Sequence, residues 1–111
     1  MSEAIGYITA DQLKSLKETL SVLDDALKKR DDGEMIAATL VGFGKLYNIN
    51  KKYAVDTENS MKAAMHTLSQ PGSNQSLQST AQRQLGLGVM IGAFNHLIKI
   101  AEQQKQPELG N

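Results

Sequence analysis

Hydrophobic residues recur at steps of three and four along most of the chain, a spacing typical of helices. The clearest example is a stripe of five leucines near the N-terminus. It consists of Leu13, Leu16, Leu20, Leu23 and Leu27. Thr9 can cap the start of this helix, and Gln12 stands three residues later, where a capping box has its second member. The pattern therefore predicts a first helix that begins at Thr9 and ends at the basic run before Asp31.

A second helix is predicted from about Glu34 to Tyr53. We expect its buried face to carry the apolar residues at helical spacing, which are Ile36, Leu40, Phe43, Tyr47 and, at its end, Ala54. The spacing then continues through Met61, Ala64, Met65 and Leu68. It leaves open whether residues 34–69 form one helix or two, and we favour two with a bend near residues 55–58.

A last helix is predicted from Leu85 to about Gln104, after a break at Pro71-Gly72. Its apolar residues face broadly one way and comprise Leu87, Met90, Ile91, Phe94, Leu97, Ile98 and Ala101. We expect residues 70–76 to form a loop, and the polar stretch from Ser73 to Gln84 to tighten into this helix.

Together these elements predict one all-α domain over residues 1–111, a three- to four-helix bundle that is up-and-down or mildly crossed. Residues 1–8 are expected to form an N-terminal arm, and residues 106–111 a loose tail. Because the stretch before the last helix offers little core, a second copy of the chain could complete the bundle. The sequence therefore also predicts a homodimer.

Composition narrows the range of functions. Twelve basic residues balance twelve acidic ones, which argues against a protein that mainly coats nucleic acid or an anionic membrane. The chain has no cysteine, so disulfides, thiol nucleophiles and Cys-based zinc sites are excluded. Its two histidines, His66 and His96, have no partner at metal-ligand spacing. We therefore predict a non-enzyme with no catalytic residues, metal site or cofactor.

The predicted location is cytoplasmic. The first residues carry neither the basic region nor the apolar region of a secretory signal. The longest apolar run, Leu85 to Phe94, has ten residues. A membrane-spanning helix needs about 20, so no membrane span is expected.

The glycines suggest where a partner could bind. Gly88 and Gly92 stand four residues apart in the last helix, and small residues at this spacing let two helices approach closely. The leading hypothesis is a small adaptor, chaperone or inhibitor that binds another protein through an apolar helix face. Its predicted contact residues are Leu87, Gly88, Met90, Ile91, Gly92 and Phe94, with Met61 and Met65 as second choices.

The alternative hypothesis is a nucleic-acid accessory protein acting as a dimer. Its candidate residues are Lys28, Lys29, Arg30, Lys51 and Lys52. Acidic residues stand close to both basic clusters, so a solvated surface is the simpler interpretation and nucleic acid is not the expected partner. A small enzyme and a self-assembling secreted subunit are further alternatives with less support from the sequence.

Overall fold

The computed structural model describes residues 6–66 and 75–104, with side chains described from residue 80 in the second range. It contains four helices: α1 (Ala10–Lys29), α2 (Asp32–Ile49), α3 (Lys51–His66) and α4 (Gln75–Gln103). The predicted all-α bundle is confirmed, with four helices. The last helix begins ten residues earlier than expected, so residues 75–76 of the predicted loop are helical. The rest of that loop and the predicted tail lie outside the described residues.

The first helix has the predicted cap and the predicted buried stripe. Thr9 Oγ1 accepts a hydrogen bond from the Gln12 backbone N–H at 3.1 Å. Gln12 Oε1 accepts one from the Thr9 N–H at 2.9 Å, which completes the capping box. Leu16 and Leu23 are fully buried, and the other three leucines of the stripe pack against the core. The helix ends where Arg30 adopts a left-handed conformation, with φ 57°.

Two helices cover the region between residues 34 and 66, but they separate at Asn50 and not at residues 55–58. The Asn50 backbone is extended, and its Oδ1 accepts a hydrogen bond from the Tyr53 N–H at 2.8 Å. Asparagine is a favoured residue for capping a helix N-terminus in this way. The expected bend falls inside α3, where Lys52 and Asp56 form an ion pair one turn apart at 3.0 Å.

The four helices run alternately up and down. Two residues connect α1 to α2, and one residue connects α2 to α3. Each of these helices therefore runs antiparallel to the one before it. At one end of the bundle Arg83 of α4 pairs with Asp32 of α2 at 3.2 Å. At the other end the Ile8 N–H donates to Gln104 Oε1 at 3.2 Å. Helix α4 is therefore antiparallel to α1 and α3 and parallel to α2, and it packs against all three.

The bundle core is apolar and draws on all four helices. Its largest fully buried side chains are Phe94, Leu16, Leu23, Met35, Leu46, Leu87, Met90 and Leu97. Helices α2 and α4 approach across the bundle at Gly42, where a Cβ atom would collide with the side chain of Met90. Gly42 thus provides the space that the buried Met90 occupies.

The predicted orientation of α2 is wrong. Ile36, Leu40 and Tyr47 are 45%, 67% and 43% exposed, although the sequence placed them in the core. The residues of α2 that are buried are Met35, Ala38, Gly42 and Leu46. Because α2 carries no charge from residue 35 to residue 44, its sequence gives little indication of which side is buried. Among the buried residues, Gly42 faces α4 and leaves the space that the Met90 side chain fills.

Candidate functional site

The predicted contact residues of α4 do not form one accessible face. Leu87, Met90 and Phe94 are completely buried among the other helices of the same chain, because the face on which they lie is the core face of α4. A partner cannot reach them without opening the bundle. This part of the predicted contact surface is therefore corrected. Ile91 is partly buried and packs against the core.

Gly88 and Gly92 are exposed, and no atom lies within 4 Å of a Cβ placed on either one. Their predicted role in close helix packing is wrong within this chain. Gly42 and Gly86 instead make room for methionine side chains of a neighbouring helix. A Cβ on Gly86 would lie 2.9 Å from Met65 Sδ, so this glycine lets Met65 rest against α4.

The exposed side of α2 is the most unusual surface of the described part of the chain, and the sequence analysis missed it. We call it the α2 face. Its exposed residues from position 36 to position 48 are Ile36, Ala37, Leu40, Val41, Gly44, Tyr47 and Asn48. None of them is charged, whereas the exposed side of a bundle helix is normally rich in charge. The sequence feature that indicates this uncharged face is the run without charged residues from residue 35 to residue 44.

A groove opens beside the α2 face, between α2, α3 and α4. We call it the methionine groove. It has a volume of about 180 Å³ and is lined by Met35, Ile36, Thr39, Leu40, Met61, Met65, Arg83 and Gly86. Met61 is buried at its base, and Met65 is half-buried. These are the two methionines that the sequence analysis named as second choices, and the structure brings them together with Met35.

Polar contacts hold the walls of the methionine groove in place. Gln82 Nε2 donates to the Met65 carbonyl at 3.0 Å and fixes the end of α3 on α4. Arg83 is the one charged residue of the lining. Its guanidinium pairs with Asp32 at 3.2 Å, so this charge is already balanced at the edge of the groove. Methionine side chains are flexible and polarisable and adapt to apolar groups of different shape. The arrangement therefore suits an apolar ligand.

A polar contact near the opposite end of α3 joins this helix to α4. The Tyr53 hydroxyl donates to the Ala93 carbonyl at 3.1 Å. The Tyr53 ring stacks on His96 with a centroid distance of 6.3 Å. Burial raises the pKa of Tyr53 above its ordinary value of 10.0, because the apolar surroundings disfavour the phenolate. This contact is structural and lies away from the methionine groove.

The two basic clusters are not brought together. Lys28, Lys29 and Arg30 lie where α1 ends, and Lys51 and Lys52 lie where α3 begins, at opposite ends of α2. A helix of 18 residues separates the clusters by about 27 Å. Lys29 pairs with Glu34 at 3.1 Å, and Lys52 pairs with Asp56 at 3.0 Å. One chain therefore offers no continuous basic surface made from these residues.

One helical segment, Thr80–Gln103, is long and apolar enough to cross a membrane on length and composition alone. The core helix of a bundle meets the same criterion, and the apolar side of this segment packs against α1, α2 and α3. Among the residues that the structure describes, no three histidine, aspartate or glutamate side chains are placed to hold a metal ion together.

Comparison with known proteins gives no match to a family model, to a curated protein or to a solved structure. The function is therefore argued from the chain's own surfaces.

Proposed function

We propose that the protein is a non-enzymatic interaction module that binds an apolar helix of a partner protein in the methionine groove. The observation that carries this proposal is the open groove lined by Met35, Met61 and Met65, with the exposed Ile36 and Leu40 at its edge. Helix-in-groove binding is a common way for one protein to recognise another. An adaptor, a chaperone or an inhibitor would each use such a surface.

The lining favours an apolar occupant over a charged one. Arg83, the charged member of the lining, is paired with Asp32, so a charged ligand would have to compete with an existing ion pair. An apolar side chain would instead displace water from Met65 and Ile36, which gains the free energy of burying apolar surface. We expect a leucine or phenylalanine of the partner helix to enter the groove, with its neighbours lying over Leu40.

Site-specific crosslinking tests the proposal. A photoreactive amino acid replaces Met65 in the groove or, as the matched control, Ser60, which is exposed on the same helix and is not part of the groove lining. After irradiation in cells of the source organism, we expect position 65 to form adducts with another protein and position 60 to form few. Mass spectrometry of the adduct should locate the bond in an apolar helical segment of that protein.

Two results would contradict the proposal. One is equal yields of adducts at positions 65 and 60, and the other is an adduct at position 65 that contains two copies of this chain and no other protein. Thermal unfolding of both variants shows whether they are folded, so that a missing adduct cannot result from an unfolded chain.

A further inference from the structure

Three methionines line the methionine groove, and they differ in how far water reaches them. Met35 and Met61 are 1% and 6% exposed. Met65 is half-buried in the wall of the open groove. Met90, the remaining methionine of the residues that the structure describes, is completely buried in the core. A reagent dissolved in water therefore meets the thioether of Met65 before it meets the other three.

Helix α4 restricts the side from which the Met65 sulfur can be approached. A Cβ on Gly86 would lie 2.9 Å from Met65 Sδ, so the α4 backbone covers the sulfur on that side. Gln82 Nε2 donates to the Met65 carbonyl at 3.0 Å and holds this part of α3 against α4. A small solute therefore reaches the sulfur from the groove. An oxygen atom added to the sulfur would lie in the groove, where the proposed partner helix binds.

We propose that Met65 is a site of reversible oxidation by hydrogen peroxide, and that its sulfoxide lowers the affinity of the methionine groove for an apolar helix. Oxidation changes a flexible apolar side chain into a polar one, and it disrupts contacts that depend on methionine. The modification depends only on the accessibility of Met65. Its effect on binding rests on the proposed function.

The reaction transfers one oxygen atom to the sulfur. A lone pair of Met65 Sδ forms an S–O bond with one peroxide oxygen while the O–O bond breaks. The proton on the transferred oxygen passes to the departing hydroxide, which leaves as water. The sulfur loses two electrons, and the peroxide gains them. Methionine sulfoxide reductases reverse the change with two electrons from thiols, and the oxygen leaves as water.

The groove is poorly suited to an additional oxygen once a partner helix covers it. Its polar side groups already have hydrogen bonds or ion pairs. Thr39 Oγ1 donates to the Met35 carbonyl at 2.8 Å, and Arg83 pairs with Asp32 at 3.2 Å. An apolar side chain of the partner would exclude water from the sulfoxide oxygen, which costs free energy unless a donor replaces that water. We expect binding to weaken about tenfold when Met65 is oxidised.

Peptide mapping by mass spectrometry tests the site of oxidation. The full chain is treated with dilute hydrogen peroxide under native conditions, and the oxidised fraction of each methionine is followed over time. Met61 is the matched control, since it lies one turn earlier on the same helix and lines the same groove but is buried. Met65 should be converted to the sulfoxide while Met61 remains a thioether. After the peroxide is removed, methionine sulfoxide reductases should restore the Met65 thioether in the folded chain.

Crosslinking from the groove edge tests the effect on binding. A photoreactive amino acid replaces Ile36, which is exposed and belongs to the groove lining. It is introduced into the unmodified chain and into Met65→Leu, because leucine is apolar, similar in volume and resistant to peroxide. Each protein is oxidised, freed of peroxide and irradiated in an extract of the source organism at a concentration below saturation. Oxidation should lower the adduct yield about tenfold where Met65 is present and leave it unchanged in Met65→Leu.

Oxidation of Met61 as fast as Met65 in the folded chain would overturn the inference. So would an equal loss of adducts in Met65→Leu, or thermal unfolding of the oxidised chain below the temperature of the assay, because binding would then be lost for another reason. If adducts with another protein survive complete oxidation of Met65, the inference fails and the proposed function stands. If positions 36 and 65 capture no other protein before oxidation, the proposed function fails, and peptide mapping alone decides whether Met65 is the oxidation site.

Discussion

Two glycines of this bundle make room for buried methionine side chains, whereas others lie in open space, so the effect of a substitution depends on the surroundings. At Gly42 a methyl group would enter the volume of the fully buried Met90. We expect Gly42→Ala to lower the free energy of unfolding, since overpacking costs about 1–3 kcal/mol and exceeds the gain in helix propensity. Gly92→Ala, in open space on α4, should raise the free energy of unfolding by about 1 kcal/mol. Urea unfolding of both variants checks this, and a stabilised Gly42→Ala protein would disprove the close approach.

Tyr53 gives the stability of the bundle a dependence on alkaline pH. Burial raises its pKa in the folded chain above the value of 10.0 that applies when the chain is unfolded. Its contribution to stability is therefore complete below about pH 10 and is lost as pH rises through the folded pKa. Tyr53→Phe should remove this loss of stability at alkaline pH. At neutral pH it should lower the free energy of unfolding by about 1 kcal/mol, because the hydrogen bond to the Ala93 carbonyl is missing. Urea unfolding at several pH values measures both effects, and an unchanged alkaline dependence would contradict the prediction.

At the scale of the helix, the sequence predicts the buried side correctly where the apolar and polar sides of a helix differ strongly. The cap at Thr9 and the leucine stripe define α1, because polar residues cover its other side. Helix α2 has apolar residues on nearly all sides, so its periodicity fits more than one buried face. Its orientation depends on contacts between distant parts of the chain, such as that between Gly42 and Met90, which are 48 residues apart and which a local pattern cannot predict.

The orientation of α2 can be measured with two leucines of the same helix. Leu46 is fully buried and Leu40 is 67% exposed. Leu46→Ala should lower the free energy of unfolding by about 2–5 kcal/mol, and Leu40→Ala by much less. A larger loss of stability for Leu40→Ala than for Leu46→Ala would contradict the orientation of α2 in the structure and support the one predicted from the sequence.

At the scale of the whole molecule, the sequence identified apolar helix faces but did not distinguish core from contact surface. Leu87, Met90 and Phe94 were expected at an interface because the stretch before the last helix offers few core residues, but α4 buries all three in the core of its own chain. Met61 and Met65 were predicted as second-choice contact residues, and the structure places them in one groove with Met35 of α2. A buried stripe and a binding stripe have the same periodicity. Only the packing of all four helices separates them.

The short connections between the first three helices favour early contacts among them during folding. Arg30 and Asp31 join α1 to α2, and Asn50 alone joins α2 to α3. Contacts between residues close in sequence lose little chain entropy and form rapidly. Helix α4 closes the longest loops, as the contact between Ile8 and Gln104 demonstrates. We therefore expect the packing of α1 on α2 and of α2 on α3 to form early, and the packing of α4 on α1, which closes the longest loop, to form last.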